Sequence, residues 1–385
     1  MTEILPFRVE VPDADLVDLR ERLRRTRWPE AETVDDWSQG VPLAYLTDLC
    51  RHWAEAYDWR TCEDRLNQLE NFRTTVFGLP IHFVHVRSPH REALPLVITH
   101  GWPGSILEFE SIIGPLTDPP GNGGSAADAF SLVLPSLPGF GFSGKPSAPG
   151  WGIARIADAW AELMSRLGYQ RFGASGGDWG SSISTCLGQQ HPDRVVGLHL
   201  TPPLAAPDPA TFADLTPAEH ASLEALRHAD RNEDGYSAEQ STKPQTIGYS
   251  LVDSPAGLAA WMVEKFRSWS DTDGLPERAL DRDRMLDDIT LYWLTGTGAS
   301  AARLYWESIR EVQQIFTTGT GDSVSVPVGG SIFAHENPRP SRRWAARRFV
   351  DIRHWNELDR GGHFAAWEQP ELFVDEVRAF FRLVR

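Results

Sequence analysis

Eight residues, Gly173–Gly180, contain two overlapping arrangements that could each present a nucleophile on a sharp turn. In GASGG the central residue is Ser175, and in GGDWG it is Asp178. Small residues on both sides of a nucleophile allow a strained backbone turn and let the following helix pack closely against the preceding strand. The segment therefore predicts covalent catalysis at a strand-to-helix junction, with either a hydroxyl or a carboxylate as the attacking group.

The start of the following helix favours Asp178. A helical stripe of apolar residues begins at Trp179, whereas Ser175 would be followed by two glycines, which each cost a helix about 1 kcal/mol. A carboxylate with a pKa near ~4 is already ionised at neutral pH, while a serine must first lose a proton to a base. Asp178 at a helix N-terminus is therefore suited to attack an alkyl carbon that carries a leaving group, forming an alkyl ester.

Two turns are expected to supply backbone donors for negative charge that develops during the reaction. The segment HGWPGS, His100–Ser105, follows a buried apolar run. A Gly- and Pro-rich turn at the carboxyl end of a strand leaves N–H groups free to point into the crevice. We predict that the backbone N–H groups of Trp102 and Trp179 form an oxyanion hole, and that His100 has a structural role.

A base and an acid are expected after the last two strands. His363 lies in GGHFAA between the last predicted strand and the last predicted helix, where the base of such a site belongs. Glu336 ends the preceding strand, and we predict that it orients the imidazole and stabilises its cation. Asp351 and Asp359 compete for that role. His363 would then deprotonate the water that attacks the ester of Asp178.

These residues need a scaffold that brings strand ends together. Apolar runs alternate with helical stripes over 76–205 and again over 318–385, which predicts an α/β core with a mostly parallel sheet, right-handed crossovers and flanking helices. Residues 1–75 predict a helical extension, and 206–317 a helical lid (cap) over the site. The predicted strands are 81–86, 94–99, 131–134, 171–175, 199–201, 325–333 and 349–352.

Composition and charge exclude several classes of protein. With 385 residues, 41% hydrophobic and 23% charged, the chain can bury a full core. A net charge of −16 would repel phosphate backbones, so no nucleic-acid partner is expected. No secretion signal and no apolar stretch of membrane-spanning length is visible, so we expect no membrane association. Three cysteines without a CxxC pattern indicate reduced thiols and a cytoplasmic location.

Two further motifs do not predict a cofactor or a metal. The segment GFGFSG, Gly139–Gly144, matches a dinucleotide-binding pattern, but the prolines and glycines that follow it would break the helix that this pattern requires. His82 and His85 form an HxxH on a predicted strand, where their side chains point to opposite faces. The expected reaction therefore needs only substrate and water.

Taken together, these motifs resemble those of the microsomal-type epoxide hydrolases of the α/β-hydrolase superfamily. The resemblance rests on HGWPGS, GGDWG, FAHE and the closing GGHFAAWEQPELF, and on an N-terminal segment beginning PFRVEVPDADLVDLRERLRRTRWP. It covers nearly the whole chain and implies the α/β-hydrolase fold with the family's N-terminal extension. Unlike the mammalian members, the chain shows no N-terminal membrane anchor, so it resembles a soluble bacterial member.

The resemblance also implies how the epoxide oxygen is activated. In this family two lid tyrosines donate protons to that oxygen, and EDGY and RLY match their motifs, which transfers the role to Tyr236 and Tyr305. The implied product is a vicinal diol. The 15 tryptophans favour an apolar, aryl substrate. Relatives suggest either detoxification or natural-product biosynthesis, such as enediyne-antibiotic pathways, and a homodimer is expected by analogy alone.

Three other functions remain open at this point. A haloalkane or haloacid dehalogenase would use the same Asp178, although it would replace the tyrosine donors with halide-binding N–H groups. A serine esterase would use Ser175 instead. A non-catalytic binding protein on the same scaffold would not need the complete set of Asp178, Glu336 and His363.

Overall fold

One nine-stranded sheet organises the molecule. The computed structural model describes residues 3–318 and 323–385, so the first two residues of the expected extension and residues 319–322 of the expected second core segment lie outside the described residues. The strands are β1 Leu5–Pro6, β2 Asn71–Val76, β3 Leu79–Val86, β4 Leu94–Thr99, β5 Phe130–Pro135, β6 Phe172–Gly177, β7 Val195–Thr201, β8 Val328–Ile332 and β9 Ile352–Glu357.

The sheet is antiparallel at one end and parallel over the rest. Its order is β1-β2-β3-β5-β4-β6-β7-β8-β9. The pairs β1–β2, β2–β3 and β3–β5 are antiparallel, and the five pairs from β5–β4 to β8–β9 are parallel. This topology confirms the α/β-hydrolase fold with a mostly parallel central sheet. The carboxyl ends of the parallel strands therefore meet at one edge, where a site can form.

Helices cover both faces of the sheet and fill the long segment between β7 and β8. They are α1 Asp13–Arg24, α2 Leu43–Glu55, α3 Trp59–Gln68, α4 Glu110–Thr117, α5 Ile153–Arg166, α6 Trp179–Gln190, α7 Pro217–Asn232, α8 Gly235–Thr242, α9 Pro244–Asp253, α10 Pro255–Trp269, α11 Arg282–Thr295, α12 Gly298–Thr318, α13 Arg342–Ala345, α14 Ala365–Glu368 and α15 Pro370–Phe381.

Burial explains why the central strands read so clearly in the sequence. All six residues of β5 are buried, as expected for a strand with helices on both faces. In helix α5, the apolar stripe that contains Ile156, Trp160 and Leu163 is completely buried. A single large core thus holds the strand ends in fixed positions, so that short loops between them can carry reactive groups with little freedom.

The first segment of the chain contributes more to the sheet than its helical pattern predicts. Strand β2 pairs with β3 over its full length, and the expected boundary at residue 75 falls inside β2. Only part of β2 alternates cleanly between buried and half-buried residues, which made its strand pattern weak in the sequence. The two residues of β1 extend the same antiparallel edge.

The last strand lies later in the chain than predicted. An apolar run at 349–352 suggested a strand, but β9 spans Ile352–Glu357 and Phe349 makes only an isolated bridge with Val324. Because β9 is an edge strand, its residues are half-buried or exposed and largely polar, which hides it from a search for apolar runs. Asp351 consequently precedes β9 instead of lying within it.

The structure also describes the GFGFSG segment and the HxxH pair, the two motifs from which the sequence predicted no cofactor or metal site. After Gly139–Gly144 no α-helix begins until Ile153. His82 Nδ1 hydrogen-bonds with Ser136 Oγ at 2.9 Å, while His85 Nε2 bonds with Tyr169 Oη at 2.9 Å. Within the described part of the chain, no helix has both the length and the apolar character that crossing a bilayer requires.

Candidate active site

Asp178 lies on a strained turn between β6 and α6. Strand β6 runs to Gly177 and helix α6 begins at Trp179, so the carboxylate is the one residue between them. Its backbone has φ +50° and ψ −128°, a combination that is costly for a residue with a Cβ and is retained where it serves a function. The turn points the side chain out of the sheet edge, as expected for a nucleophile elbow.

Two glycines allow backbone to approach this turn closely. A Cβ on Gly101 would lie 2.1 Å from Asp178 Oδ1, and a Cβ on Gly180 would lie 1.9 Å from the carbonyl oxygen of Thr99. Any side chain at these positions would displace the carboxylate or push α6 away from β4. The glycines of HGWPGS and GGDWG thus have steric reasons that their motifs alone do not show.

Both N–H groups predicted as an oxyanion hole face the carboxylate of Asp178. The Trp102 N–H donates to Asp178 Oδ1 at 2.8 Å, and the Trp179 N–H also hydrogen-bonds to the carboxylate. Burial raises the pKa of Asp178, and the charge of His363 and these two N–H donors counteract that rise. The backbone of Trp102 therefore holds Oδ1 of Asp178, while Oδ2 faces His363 Nε2.

His363 lies between two carboxylates. Its Nδ1 is 2.9 Å from Glu336 Oε1, and its Nε2 is 3.6 Å from Asp178 Oδ2. Glu336 also accepts the Asn337 N–H at 2.8 Å, which fixes the orientation of its carboxylate. The two competing acids do not take part, since Asp351 pairs with Arg353 and Asp359 is exposed.

The electrostatics of the site keep His363 protonated in the resting protein. Burial acts to lower the pKa of His363, but the charge and hydrogen bond of Glu336 and the charge of Asp178 outweigh it and raise the pKa to about 9. The imidazolium and the Asp178 carboxylate consequently form an ion pair at neutral pH. Loss of the Asp178 charge would remove one of the groups that hold this proton.

The surroundings of Ser175 are not those of a nucleophile. It lies inside β6 with no exposed surface, and its Oγ hydrogen-bonds with His199 Nδ1 at 3.1 Å. His199 Nε2 in turn bonds with Ser331 Oγ at 3.0 Å, and that hydroxyl donates to Glu376. Burial lowers the pKa of His199 to about 3. Ser175 therefore belongs to a buried network that links β6, β7 and β8 and ends at the Glu376 carboxylate, which pairs with His354.

The two tyrosines transferred from the family resemblance approach Asp178 from the helices between β7 and β8. Tyr236 is on α8 and Tyr305 on α12, with ring centres 5.7 Å apart. Each lies within hydrogen-bonding reach of the other, and burial followed by nearby negative charge, including that of Asp178, raises the pKa of both. Both phenols are therefore protonated at neutral pH and can act as hydrogen-bond donors.

Aromatic rings enclose these hydroxyl groups. Trp102 stacks on Tyr236 with 5.1 Å between ring centres and 9° between planes. Trp179 meets Tyr305 edge-on at 4.8 Å, and Trp269 meets Tyr236 edge-on at 5.1 Å. These rings thus form an apolar, aromatic wall with a few directed polar groups, a character that is usual for small-molecule sites.

A small cavity lies against the Asp178 carboxylate. It is lined by Asp178, His363, Glu108 and His100 among others, and its lining does not include Tyr236 or Tyr305. The cavity has a volume of about 20 Å³, which is enough for one water molecule.

His100 has the surroundings of a structural residue, as expected. Its Nδ1 lies 2.9 Å from the Gly101 carbonyl oxygen, and its Nε2 accepts the Leu137 N–H at 3.2 Å.

The loop that carries His363 is tied to the end of α10. The His363 N–H donates to the Trp269 carbonyl at 2.9 Å, and the Gly361 N–H donates to Asp271 Oδ2 at 2.7 Å. The Asp271 N–H donates to Glu368 Oε2 at 2.7 Å, which closes a ring of bonds between the two segments. These segments are 90 or more residues apart in the chain, so no local sequence pattern could reveal the link.

Sequence reasoning missed three side chains that surround the site. Glu108 belongs to no motif of the sequence analysis, yet it lines the cavity beside Asp178. Trp269 packs against the His363 ring at 4.8 Å. Lys265 is buried behind Tyr236. Tryptophan and lysine in an amphipathic helix carry no motif, and their roles arise only from packing.

The sheet topology and the nucleophile elbow together define an α/β hydrolase. A family model for the epoxide hydrolase N terminus matches residues 4–109, and a model for the α/β hydrolase fold matches residues 95–241. The chain belongs to the microsomal-type epoxide hydrolases and is an epoxide hydrolase, and in this family an aspartate is the general nucleophile.

Relatives in both sequence and structure support this assignment. A Stigmatella aurantiaca protein with a provisional epoxide hydrolase name is 52% identical over 382 residues, covering 99% of this chain and 86% of the relative. Epoxide hydrolase 1 of Sus scrofa is 36% identical over 99% of this chain and 89% of its own length. The crystal structure of juvenile hormone epoxide hydrolase from Bombyx mori matches with a TM-score of 0.90. The two sequences are 30% identical, and the match covers 100% of this chain and 96% of that one. The Aspergillus niger epoxide hydrolase structure has a TM-score of 0.89 at 31% identity, covering 100% of this chain and 97% of that one.

Proposed function

We propose that the protein opens apolar, aryl-type epoxides to vicinal diols, with Asp178 as the covalent nucleophile. The proposal rests on the different surroundings of the two carboxylate oxygens of Asp178. Asp178 Oδ1 accepts the Trp102 N–H at 2.8 Å, while Oδ2 faces His363 Nε2 at 3.6 Å. Oδ2 is therefore free to attack an epoxide carbon, and Oδ1 is already placed where an oxyanion would later need donors.

In the first step, Asp178 Oδ2 forms a bond to the epoxide carbon as the carbon–oxygen bond of the ring breaks. The leaving oxygen remains on the substrate and needs a proton. Tyr236 and Tyr305 supply the donors, because their hydroxyl groups lie together above the carboxylate and their raised pKa values keep them protonated. The result is a hydroxyalkyl ester of Asp178.

In the second step, water attacks the ester carbonyl carbon. Esterification removes the negative charge of Asp178, so the pKa of His363 falls from its resting value of about 9. The imidazolium then releases its proton, which replaces the proton that the tyrosine gave to the substrate oxygen, and the neutral ring can accept a proton from water. Glu336 holds Nδ1 at 2.9 Å and stabilises the cation that forms. The Trp102 and Trp179 N–H groups stabilise the tetrahedral oxyanion on Oδ1.

We propose that the substrate and this water occupy different spaces beside the Asp178 carboxylate. The substrate would enter a chamber bounded by the aromatic wall beneath Tyr236 and Tyr305, and water would occupy the small cavity beside His363 and Glu108. The diol departs with the oxygen that Asp178 used for attack, and the oxygen of water remains in the carboxylate. Oxygen-18 from labelled solvent should therefore enter Asp178 during one turnover.

The domain organisation that goes with this chemistry is a core, an N-terminal extension and a lid. We assign 76–205 and 318–385 to the core, 1–75 to the extension, whose strands β1 and β2 join the core sheet, and 206–317 to the lid that carries both tyrosines. The cysteines Cys50, Cys62 and Cys186 are free thiols, which supports the proposal that the enzyme works in a reducing cytoplasm. Turnover of a panel of aryl and alkyl epoxides would separate a broad detoxifying role from a narrow biosynthetic one.

Trapping the ester tests the proposal directly. Asp178→Asn should abolish turnover of styrene oxide, and His363→Gln should accumulate an ester whose mass equals that of the enzyme plus one substrate. Peptide mass spectrometry should place the adduct on Asp178. An adduct on Ser175, or no adduct at all, would overturn the assignment. A chloroalkane and a nitrophenyl ester assayed on the same preparation serve as controls for a dehalogenase or an esterase.

A further inference from the structure

Lys265 is a buried cation behind the wall of the substrate chamber. It lies on α10 with 2% of its surface exposed. Its Nζ is 4.7 Å from the centre of the Tyr236 ring and 5.5 Å from the centre of the Trp269 ring. A buried ammonium is unfavourable unless it is paired, and the faces of aromatic rings attract cations over these distances. Its position therefore needs an explanation.

The ammonium joins α10 to the junction between α7 and α8. It donates to the Glu233 carbonyl at 3.1 Å and to Glu233 Oε2 at 3.2 Å. Glu233 follows the last residue of α7, where free carbonyls and the helix dipole favour a positive charge. Tyr236 comes only three residues later, at the start of α8. Lys265 thus fixes both the ring of Tyr236 and the backbone that leads into it.

Two carboxylates near the Tyr236 ring make the charge of Lys265 important. Glu264 Oε2 lies 2.9 Å from the ammonium, and Glu233 Oε2 lies 3.2 Å from it. Without the ammonium, both negative charges would act on the ring, and they would oppose any further negative charge on the phenol oxygen. With it, each carboxylate faces a positive charge within 3.2 Å, which offsets part of its effect on the ring.

We infer that Lys265 is a positioning residue for proton donation by Tyr236: it orients the phenol and offsets the negative charge that develops on the phenol oxygen when the epoxide opens. In that step Asp178 Oδ2 bonds to carbon, the carbon–oxygen bond of the epoxide ring breaks, and the O–H bond of Tyr236 breaks as its proton moves to the released oxygen; the phenolate regains a proton before the next turnover. Lys265 touches neither the substrate nor the reacting atoms. This inference rests on the proposed function, in which Tyr236 is a donor.

The test is single-turnover kinetics with styrene oxide on the full chain. Lys265→Met keeps an unbranched side chain of similar length and removes the charge. It should slow formation of the Asp178 ester about tenfold, measured by acid quench and mass spectrometry, and leave ester hydrolysis within about twofold of the wild-type rate. Lys243→Met, the same change at an exposed lysine on the lid, is the matched control and should alter neither rate. Equal rates of ester formation in Lys265→Met and the wild-type protein would overturn the inference.

A double-mutant cycle separates this role from general destabilisation. In the Tyr236→Phe protein there is no phenol to support, so adding Lys265→Met should have no further effect on ester formation. A full tenfold loss in that background would mean that Lys265 acts elsewhere. If Tyr236→Phe alone leaves ester formation unchanged, the proposed donor itself is wrong, and this outcome differs from one in which only the lysine substitution is silent.

Two further variants keep the inference testable if Lys265→Met does not fold. Lys265→Arg retains the charge and should form ester at close to the wild-type rate. Glu264→Gln removes one of the two negative charges while Lys265 stays in place, so ester formation should be as fast as in the wild-type protein or faster. A slower rate in Glu264→Gln would contradict the electrostatic part of the inference.

Discussion

His363 Nε2 lies 3.6 Å from Asp178 Oδ2, so the base and the nucleophile form an ion pair before any substrate arrives. The partner that must attack first is thus ionised, and the partner that must later accept a proton is already protonated. Formation of the ester resolves this conflict because it removes the negative charge that holds the proton on His363. The order of the two chemical steps is built into the distance between these two side chains.

The titration of His363 should depend on Asp178. The pKa of His363 is raised to about 9, with Asp178 as one of the charges responsible. Asp178→Asn, which resembles the ester in having no charge, should lower that pKa by at least about one unit. Titration of the His363 ring by NMR in both proteins would measure the difference. If the pKa of His363 were the same in both proteins, the charge of Asp178 would not be one of the groups that hold the proton.

Stability should fall in alkaline solution through the same residue. The pKa of His363 rises from 6.5 to about 9 on folding, so its contribution is complete below pH ~6.5 and is lost as the pH rises through the folded value. The loss could reach roughly 3 kcal/mol. Urea unfolding at several pH values between 6 and 10 should show this decline in the wild-type protein. His363→Gln should lack that part of the slope, and equal slopes would refute the assignment.

The two tyrosines should act on ester formation and not on folding. Tyr236→Phe and Tyr305→Phe keep both rings, which make the aromatic contacts with Trp102 and Trp179. Each single change should slow ester formation, and the double change should slow it by about 10²–10⁴-fold. Single-turnover rates together with urea unfolding would separate the two effects. Normal rates in the double variant would show that the epoxide oxygen is activated by another group.

Gly101 should tolerate no side chain. A Cβ there would lie 2.1 Å from Asp178 Oδ1, so Gly101→Ala should displace the nucleophile and reduce turnover at least about 100-fold. Gly114→Ala is the control, because the nearest atom to its Cβ is 3.8 Å away and the residue lies within α4. That variant should be fully active and slightly more stable. Comparable losses of activity in both would show that the effect is not local to Asp178.

Ser175→Ala should distinguish stability from catalysis. The change removes the partner of His199 Nδ1, which lies 3.1 Å away in a fully buried site. An unsatisfied buried group costs about 1–3 kcal/mol. Turnover per folded molecule should nevertheless stay within about threefold of the wild-type value, because the hydroxyl takes no part in the proposed chemistry. A complete loss of turnover in a folded protein would return Ser175 to consideration as the nucleophile.

The reactive loops could be predicted because the chemistry is local in the sequence. Asp178, Trp102 and His363 each follow a strand, and parallel strands bring their carboxyl ends together. The choice of Asp178 over Ser175 needed only the point at which a helix can start. The acid was harder to choose: Glu336 competed with two aspartates, and the structure separates them by distance, which no spacing along the chain encodes.

The supporting residues could not be predicted from the sequence, for a physical reason. Lys265 follows Glu264 on a helix, and such a pair ordinarily lies on a solvated face. Its burial depends on how α10 packs against α8 in the tertiary structure, which the local sequence does not encode. Edge strands present the same difficulty, since β9 is polar enough to escape a search for apolar runs. Sequence patterns report what a residue can do, and packing decides whether it faces the site.

The bonds that tie the His363 loop to the end of α10 restrict how substrate can reach the chamber. If α10 swung outward, it would withdraw the Trp269 carbonyl from the His363 N–H and Asp271 from Gly361. The base would then lose its orientation at the moment of admission. Admission of substrate by movement of another part of the lid would leave the hydrolytic half of the site assembled. The segment that supports the base should therefore stay in place while substrate enters.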